Sequence, residues 1–410
     1  MRLDYKKTFI IGLGFFTVSI VWGLYNVAMP LFLDELGLSG VAVGSVMTID
    51  NIFALVFLPI FGVLSDRTNT RYGRRMPYLL VGIPLSALAF ILIPVAKSTL
   101  LTLMITVIAM NFFMSIYRSP TVALMPDFTP RPLRSKANGI INFMGGVGAV
   151  IAFLIGGFLF KKNDFYPFAV GAFIMLVTII LMYLLVHEPK EIEKDEHETN
   201  TAGSAVYEKG RTISLIFLLL AIFFWFTGYN AVETFFSTYG KEVLGIDKSQ
   251  SSFMLAIFSG FLVLFSIPSG FIATRIGRKR TILIGITVLF LTFLTMNFIH
   301  DNRIMYLLLA IGGISWALIN INSYPMVVEM TSNKGIGKFT GYYYFFSMMA
   351  AIVSPILFGF LKDIFGDGLL FKYSSISMVV AFFFMMLVKH GEAKPEAKSA
   401  FEGIEHMETK

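Results

Sequence analysis

The chain has 410 residues, of which 56% are hydrophobic and only 14% are charged. A soluble protein carries roughly 25% charged residues, so this composition excludes an ordinary soluble enzyme. The net charge of +7 comes from basic residues spread over short loops between apolar runs, a distribution that argues against a nucleic-acid interface. Because the sequence has no cysteine, it has no disulfide, no thiolate nucleophile and no cysteine metal site.

Twelve charge-poor stretches follow one another along the chain, and each is long enough to cross a bilayer, which takes about 20 apolar residues per helix. They cover residues 9–33, 41–64, 77–96, 99–126, 137–160, 165–186, 212–239, 249–274, 281–299, 304–328, 339–361 and 368–388. The pattern predicts an all-α membrane protein with twelve transmembrane helices. The first stretch exceeds the apolar part of a cleaved signal peptide and lacks a small-residue cleavage site, so we interpret it as span one.

The spans divide into two sets of six around a polar, glutamate-rich segment. The predicted domains are an N-terminal six-helix bundle at 1–186, a cytoplasmic linker at 187–211, a C-terminal six-helix bundle at 212–388 and a cytoplasmic tail at 389–410. Internal similarity supports the division, because Tyr25-Asn26 recurs as Tyr229-Asn230 at an offset of 204. Two parallel halves of this kind suit a transporter that rocks one bundle against the other.

The loops between the spans differ in charge. Those on the side of the termini hold 24 of the 33 lysines and arginines, and those on the other side hold 8, with Arg118 inside span four. Basic residues remain on the cytoplasmic side of a membrane. We therefore predict a multi-pass protein of the cell membrane with both termini in the cytoplasm.

The loop after span two reads GVLSDRTNTRYGRR (62–75), and a shorter related sequence, GFIATRIGRKR (270–280), follows span eight. With twelve spans in two halves, this loop resembles that of the major facilitator superfamily. Within it, PIFGVLSDRTNTRYGRRMP and ALMPDFTP are similar to the sucrose-carrier branch and its glycoside-pentoside-hexuronide relatives. The resemblance implies two pseudo-symmetric six-helix bundles and alternating access. Melibiose-type sodium symporters of this group have acids at positions matching Ala54 and Leu58, so their absence argues against sodium coupling.

The resemblance also assigns a gate to the loop. In the superfamily the aspartate matching Asp66 faces the N-terminus of span eleven, here near residues 335–338, where the helix dipole favours an anion. Loop arginines there pair with the acids that end spans four and ten. The predicted gate residues are Gly62, Asp66, Arg67, Gly73, Arg74, Arg75, Asp127, Arg278 and Glu329. Thr274 replaces the aspartate in the second copy, which should lock less firmly. In the alternative interpretation the arginines only mark the cytoplasmic side.

Three charges, Asp50, Arg118 and Glu233, interrupt the spans away from their ends, where a charge costs at least ~2.5–3.5 kcal/mol. From a rise of ~1.5 Å per residue, Asp50 lies roughly 4 Å outward of mid-span, Arg118 about 8 Å inward and Glu233 about 11 Å outward. This spread argues against a permanent ion pair. We predict that Glu233 or Asp50 carries a coupling proton, while Arg118 biases the charge of that acid or binds a substrate hydroxyl. A polar bend or an outer-gate role is the alternative for Asp50.

The three tryptophans lie mid-span rather than in the interfacial belts where tryptophan usually occurs. Each has a polar residue four positions later, on the same helix face. The resemblance places spans one, four, seven and ten around the transport cavity, and a ring beside hydrogen-bonding groups suits a sugar. The predicted substrate-binding residues are Trp22, Asn26, Arg118, Trp225, Tyr229, Asn230, Trp316 and Asn320. Helix packing is the alternative role for the tryptophans.

Together these features predict proton-coupled symport of a sugar or glycoside by a monomer, with no enzymatic activity and no cofactor. The expected partners are a small-molecule substrate, protons and the lipid bilayer. A drug or amphipathic-cation proton antiporter of the same fold is the main alternative. A non-transporting membrane sensor should have a structured output domain, for which the linker and tail are too short and polar. A metal site has no support, because every histidine lies in a loop, at a span end or in the tail: His187, His197, His300, His390 and His406.

Overall fold

The computed structural model describes residues 4–129, 134–186, 209–330 and 336–391, and these are almost entirely helical. Most of the predicted linker and tail, with His187, His197 and His406, lies outside the described residues. The helices in the described ranges are α1 (Tyr5–Glu35), α2 (Gly40–Met47), α3 (Ile49–Arg67), α4 (Met76–Ala96), α5 (Leu100–Phe128), α6 (Arg134–Leu159), α7 (Phe165–Leu185), α8 (Lys209–Glu242), α9 (Lys248–Ile276), α10 (Arg278–Met296), α11 (Asn302–Val328), α12 (Ile336–Phe365), a 3₁₀ helix (Asp367–Leu369) and α13 (Leu370–Leu387).

Twelve segments of the described chain are long and apolar enough to cross a membrane, and they coincide with the predicted spans to within a few residues at each end. The predicted all-α class and the number of spans are confirmed. Polar residues begin several of these helices: Asp4, Ser39, Thr99, Asp247 and Asp301 each accept a hydrogen bond from a first-turn amide. Such caps satisfy backbone donors that have no partner inside the helix.

Span two is interrupted at Thr48, between α2 and α3. The Thr48 hydroxyl donates to the Ser45 carbonyl at 2.9 Å, a side-chain-to-backbone bond that competes with regular helix geometry. Asp50 then lies in the first turn of α3, where the positive end of the helix dipole favours a carboxylate. The alternative interpretation of Asp50 as part of a polar bend therefore has a structural basis.

The two sets of six spans pack in the same pattern. In the N-terminal half (α1–α7), α1 packs on α6 and α7, α4 on α5 and α7, and α3 on α5. In the C-terminal half (α8–α13), α8 packs on α12 and α13, α10 on α11 and α13, and α9 on α11. Each pair in one half has its counterpart six spans later in the other half. This correspondence confirms two pseudo-symmetric six-helix bundles.

We call the end of the bundle that carries the start of α1 and the end of α13 the terminal end, and the opposite one the distal end. The halves meet chiefly through two equivalent helix pairs, α6 with α9 and α2 with α12, together with α1 against α8. Ion pairs join the halves at the distal end: Asp34 with Lys241 (3.0 Å), Asp34 with Lys362 (3.8 Å), Glu35 with Lys248 (3.2 Å) and Asp164 with Lys248 (3.2 Å).

Candidate functional site

A central cavity of about 200 Å³ lies between the two halves. One wall comes from α1 and α6, and the other comes from α8, α9, α10 and α11. Most of its surface is apolar, and its polar and aromatic side chains come from α1, α6, α8, α9 and α10. These residues are Ser19, Trp22, Asn26, Phe153, Tyr229, Glu233, Phe258, Ser259 and Phe293.

Glu233 brings a carboxylate into this cavity at the contact between the halves. The side-chain amide of Asn26, on α1, donates to Oε1 of Glu233, on α8, over 3.5 Å. The Tyr229 hydroxyl, one turn earlier on α8, lies beside the same carboxylate. Because this hydrogen bond joins the two halves, the Glu233 carboxylate can break it and form it again when the halves move.

Tyr229 is held by Trp316 of α11. Their rings stack in parallel with centroids 4.1 Å apart and planes 2° apart. Trp316 is only 1% exposed and does not line the cavity, so it lies behind Tyr229. Trp316 therefore supports the cavity residue Tyr229 and is not itself exposed to the cavity.

Of the three tryptophans, only Trp22 lines this cavity. Its ring is half-buried and meets Tyr25 edge to face at 5.5 Å. Trp225 is completely buried, and its indole nitrogen has no hydrogen-bond partner among the described residues. In this conformation Trp225 has the environment that the packing interpretation predicts.

The two predicted asparagines of the C-terminal half also lie outside this cavity. The Asn230 amide donates to the carbonyl of Phe226, one turn earlier on the same helix, at 2.7 Å. Asn320 is half-buried on α11. Asn26 and Asn230, which match in the internal repeat, thus have different surroundings: the first reaches the other half and the second bonds to its own helix.

Asp50 and Arg118 lie near each other but outside the lining of this cavity. Both are half-buried, and their charges interact without a direct ion pair. Asp50 also interacts electrostatically with Glu233 and accepts a hydrogen bond from Asn51 at 3.0 Å. Among the described residues no salt bridge joins Asp50, Arg118 and Glu233, in agreement with their different predicted depths.

The polar and aromatic lining residues that sequence reasoning missed are Ser19, Phe153, Phe258, Ser259 and Phe293, which lie on α1, α6, α9 and α10. Serine and phenylalanine are common throughout these spans, so neither residue type marks a site. Spans five, eight and nine were not among the expected lining helices. Spans five and eight line the cavity because α6 and α9 pack against each other across the interface of the halves, and span nine (α10) lines it beside α11, on which it packs.

The gate residues of the N-terminal half form a network at the terminal end. Arg75 is buried, and it bonds to Asp127 (3.1 Å), to the Ser65 hydroxyl (2.5 Å) and to Asp66. Arg74 adds a second bond to Asp127 at 3.3 Å. The described partner of Asp66 thus belongs to its own half, whereas residue 335 of its expected partner segment lies outside the described residues.

The remaining gate residues shape or flank this network. Gly73 has φ +104°, a conformation that favours glycine, and its amide closes the turn onto Thr70 at 3.0 Å. The Gly62 carbonyl accepts from Arg75 at 3.5 Å, and Arg67 is exposed.

The second copy of the motif also pairs an arginine with an acid that ends a span. Arg278 pairs with Glu329 within the C-terminal half. Thr274, at the aspartate position, is exposed and donates to its own helix at Phe271. Among the described residues, no group of three or more acidic or histidine side chains is arranged to hold a metal ion.

Two pseudo-symmetric six-helix halves around a central cavity are the architecture of membrane transporters that alternate access by rocking one bundle against the other. The chain belongs to the Major Facilitator Superfamily, whose family model matches residues 11–261 and 241–407. It is accordingly a multi-pass membrane protein and a secondary transporter of that superfamily.

Proteins similar to this chain are named for different compounds. An uncharacterized MFS-type transporter of Methanocaldococcus jannaschii is 21% identical, over 93% of this chain and 95% of the relative. A class H tetracycline resistance protein of Pasteurella multocida is 24% identical, over 78% and 80%. The isoprimeverose transporter of Lactiplantibacillus pentosus is 22% identical, over 69% and 62%.

Among solved structures, that of a mutant of the nucleoside transporter NupG has a TM-score of 0.74 at 16% identity. The match covers 93% of this chain and 100% of NupG. At this identity the likeness establishes the fold alone. Sugar, drug and nucleoside transporters share that fold, so the substrate has to be argued from the site.

Proposed function

We propose that the protein is a proton-coupled symporter of a sugar or glycoside. The observation that carries this proposal is the position of Glu233, a carboxylate that lines the central cavity and contacts Asn26 of the opposite half.

The surroundings of Glu233 support proton coupling. The cavity is mainly apolar, and an apolar environment disfavours the charged form of a carboxylate, so we expect the acid to hold a proton while water is excluded and to exchange it when the cavity opens to water. Ionised Glu233 accepts the Asn26 amide more strongly than the neutral acid does. Its protonation state therefore affects the contact between the halves. Asp50, which is half-buried beside Arg118, is the second candidate for the proton carrier.

A sugar matches the size and the mixed surface of the cavity. Its volume of about 200 Å³ is below the roughly 300–1,000 Å³ typical of pockets for drug-sized ligands. Trp22 and Phe258 offer ring faces for the apolar face of a sugar, while Asn26 and Ser259 offer groups for its hydroxyls.

The second candidate function is export of a drug or amphipathic cation in exchange for protons. The similarity to a tetracycline resistance protein favours it, and a carboxylate among aromatic rings also attracts a cation. The two functions differ in the charge of the substrate. A sugar is neutral, whereas a cation would compete with the proton for Glu233.

Transport by purified protein in liposomes tests the proposal. Labelled monosaccharides, disaccharides and a cationic dye are supplied in parallel, with and without an imposed pH gradient. We expect accumulation of a sugar only when the gradient is present, and no movement of the dye. Gradient-driven movement of the dye without any sugar uptake would establish the exporter instead.

We further propose that the terminal end faces the cytoplasm of the cell, because it carries most of the loop lysines and arginines. Two exposed loop asparagines make a matched test in this cysteine-free chain: Asn163 at the distal end and Asn69 at the terminal end. A cysteine at 163 should react with an impermeant thiol reagent added to intact cells, and a cysteine at 69 should not. The reverse labelling would invert the proposed orientation.

A further inference from the structure

The distal ends of spans two and eleven are joined by a carboxylate on a helix N-terminus. The amide of Gly40 donates to Oδ1 of Asp363 at 2.5 Å, and the amide of Val41 donates to Oδ2 at 3.0 Å. Gly40 and Val41 begin α2 in the N-terminal half, whereas Asp363 lies near the end of α12 in the C-terminal half. Both oxygens of one carboxylate thus bind across the interface of the halves.

These two amides belong to the group of helix donors that have no partner within their own helix. The Ser39 hydroxyl takes the next one, from Ala42, at 3.3 Å. The positive end of the helix dipole strengthens the attraction of α2 for the Asp363 charge. Removing that charge would leave the first amides of α2 without their acceptor.

Glycines allow the close approach that this contact requires. A Cβ atom on Gly44 would lie 2.1 Å from the carbonyl oxygen of Pro355, and one on Gly40 would lie 2.5 Å from that of Gly359. Both obstacles are backbone atoms, which cannot turn aside as a side chain does. Any larger residue at Gly44 therefore pushes α2 and α12 apart.

The surrounding charges hold the end of α12 in place. Lys362, next to Asp363, pairs with Asp34 of α1 at 3.8 Å and with Asp367 at 3.2 Å. Lys241 of α8 shares Asp34 at 3.0 Å. The Asp363 carboxylate itself is occupied by the α2 amides.

We propose that Gly40, Val41 and Asp363 form a distal latch that holds the distal end closed and must open in each transport cycle. The latch would be the counterpart, at the distal end, of the contact expected for Asp66 at the terminal end. Asp66 lies at the end of span two, and its carboxylate is expected to contact the start of span eleven. Asp363 lies at the end of span eleven, and its carboxylate contacts the start of span two. In this structure the distal latch is engaged, and the described partner of Asp66 is Arg75 of its own half. The latch would act in the same way whatever the substrate or the coupling ion.

Distances between spin labels test the latch in the full-length protein. One label pair at Lys162 and His300, exposed distal residues in different halves, reports on the distal end. A second pair, at Asn69 and Thr274, reports on the terminal end. We expect Asp363→Ala to raise the population with a separated distal pair by roughly 5- to 30-fold, the equivalent of 1–2 kcal/mol.

The matched control is Glu242→Gln. Glu242 is an exposed distal carboxylate whose described ion pair is with Lys241 of the same helix, so its removal should leave the distances unchanged. Gly44→Ala is an independent variant that should separate the distal pair without altering any charge. If Asp363→Ala does not fold, Asp363→Asn takes its place under the same criterion. An unchanged distal distribution in the folded Asp363 variant and in Gly44→Ala would overturn the proposal.

Discussion

The first helix of each half lines the central cavity with different residues: α1 presents Trp22 and Asn26, whereas α8 presents Tyr229 and Glu233. The helices around them pack in matching pairs. The carboxylate of the cavity therefore comes from one half, and the amide that binds it comes from the other. Under the proposed proton coupling, a change in the charge of Glu233 would alter a contact with the opposite half.

The terminal ends of the two halves also carry different charged residues. The N-terminal half has Arg75 buried among Asp66, Asp127 and Ser65, whereas the C-terminal half has the partly exposed pair of Arg278 and Glu329. The two halves thus share the same helix packing but differ in the side chains of the cavity and of the terminal end. Four sets of variants test this difference.

The largest effect is expected from Glu233→Gln. Glutamine keeps the shape and an acceptor for the Asn26 amide but cannot release a proton. We expect loss of uphill, pH-driven accumulation in proteoliposomes while downhill exchange of substrate continues. Asp50→Asn is the matched control and should retain accumulation. If the Glu233 variant still concentrates substrate under a proton gradient alone, Asp50 becomes the better coupling site.

The two gate networks should differ in their contribution to stability. Asp127→Asn removes a partner of Arg75, whose side chain is only 5% exposed. Because Arg75 keeps its bonds to Asp66 and Ser65, we expect a loss of stability that approaches, but does not exceed, the ~3–5 kcal/mol of a buried ion pair broken completely. Glu329→Gln disrupts a pair with exposures of 21% and 33%, for which we expect at most about 1 kcal/mol. Thermal unfolding of the purified proteins in detergent measures both. Equal losses would show that the two copies are equivalent.

The tryptophans separate substrate contact from packing. Trp22→Ala should weaken sugar binding by roughly two- to tenfold through loss of a ring face, and Trp22→Phe should lose less. Trp225→Ala should instead lower stability and leave the affinity of the folded protein nearly unchanged, because Trp225 is completely buried. Binding titrations alongside unfolding curves distinguish the two effects. A loss of affinity in Trp225→Ala that Phe restores would place Trp225 in the binding site after all.

The smallest effect is expected from Asp66→Asn, because the Asp66 side chain is 57% exposed here. If Asp66 faces the start of span eleven in the other conformation, its loss should disfavour closure of the terminal end by about 0.3–2 kcal/mol. The terminal label pair at Asn69 and Thr274 would then shift toward separation. An unchanged distribution would restrict the loop arginines to a role in topology.

Periodic patterns in the sequence predict the architecture, but they predict only part of the cavity lining. Trp22, Asn26, Tyr229 and Glu233 were predicted from polar and aromatic residues at helical spacing, and all four line the cavity. The same reasoning assigned Trp225 and Trp316 to substrate, and the structure places them in packed surroundings. A spacing of four residues defines a shared face, but it does not say what that face contacts.

The distal latch shows why such contacts were not predictable. Asp363 lies at a span end, where an acidic residue has no special meaning, and its partners are backbone amides 323 and 322 positions away. Glycine is common along the whole chain, so the glycines that permit the approach of α2 and α12 do not stand out in the sequence either.

The sequence by itself determined the twelve spans, their division into two related halves and the superfamily. The spans depend on the energy of placing each residue in a bilayer or in water, which is a local quantity. The halves and the superfamily are recorded in short repeats and motifs of neighbouring residues, which are also local. The tertiary structure alone decided which helices form the cavity, which tryptophan lines it, and that Glu233 meets Asn26 across the halves. These depend on how the two bundles pack against each other, and that packing joins residues some two hundred positions apart whose pairing no local pattern records.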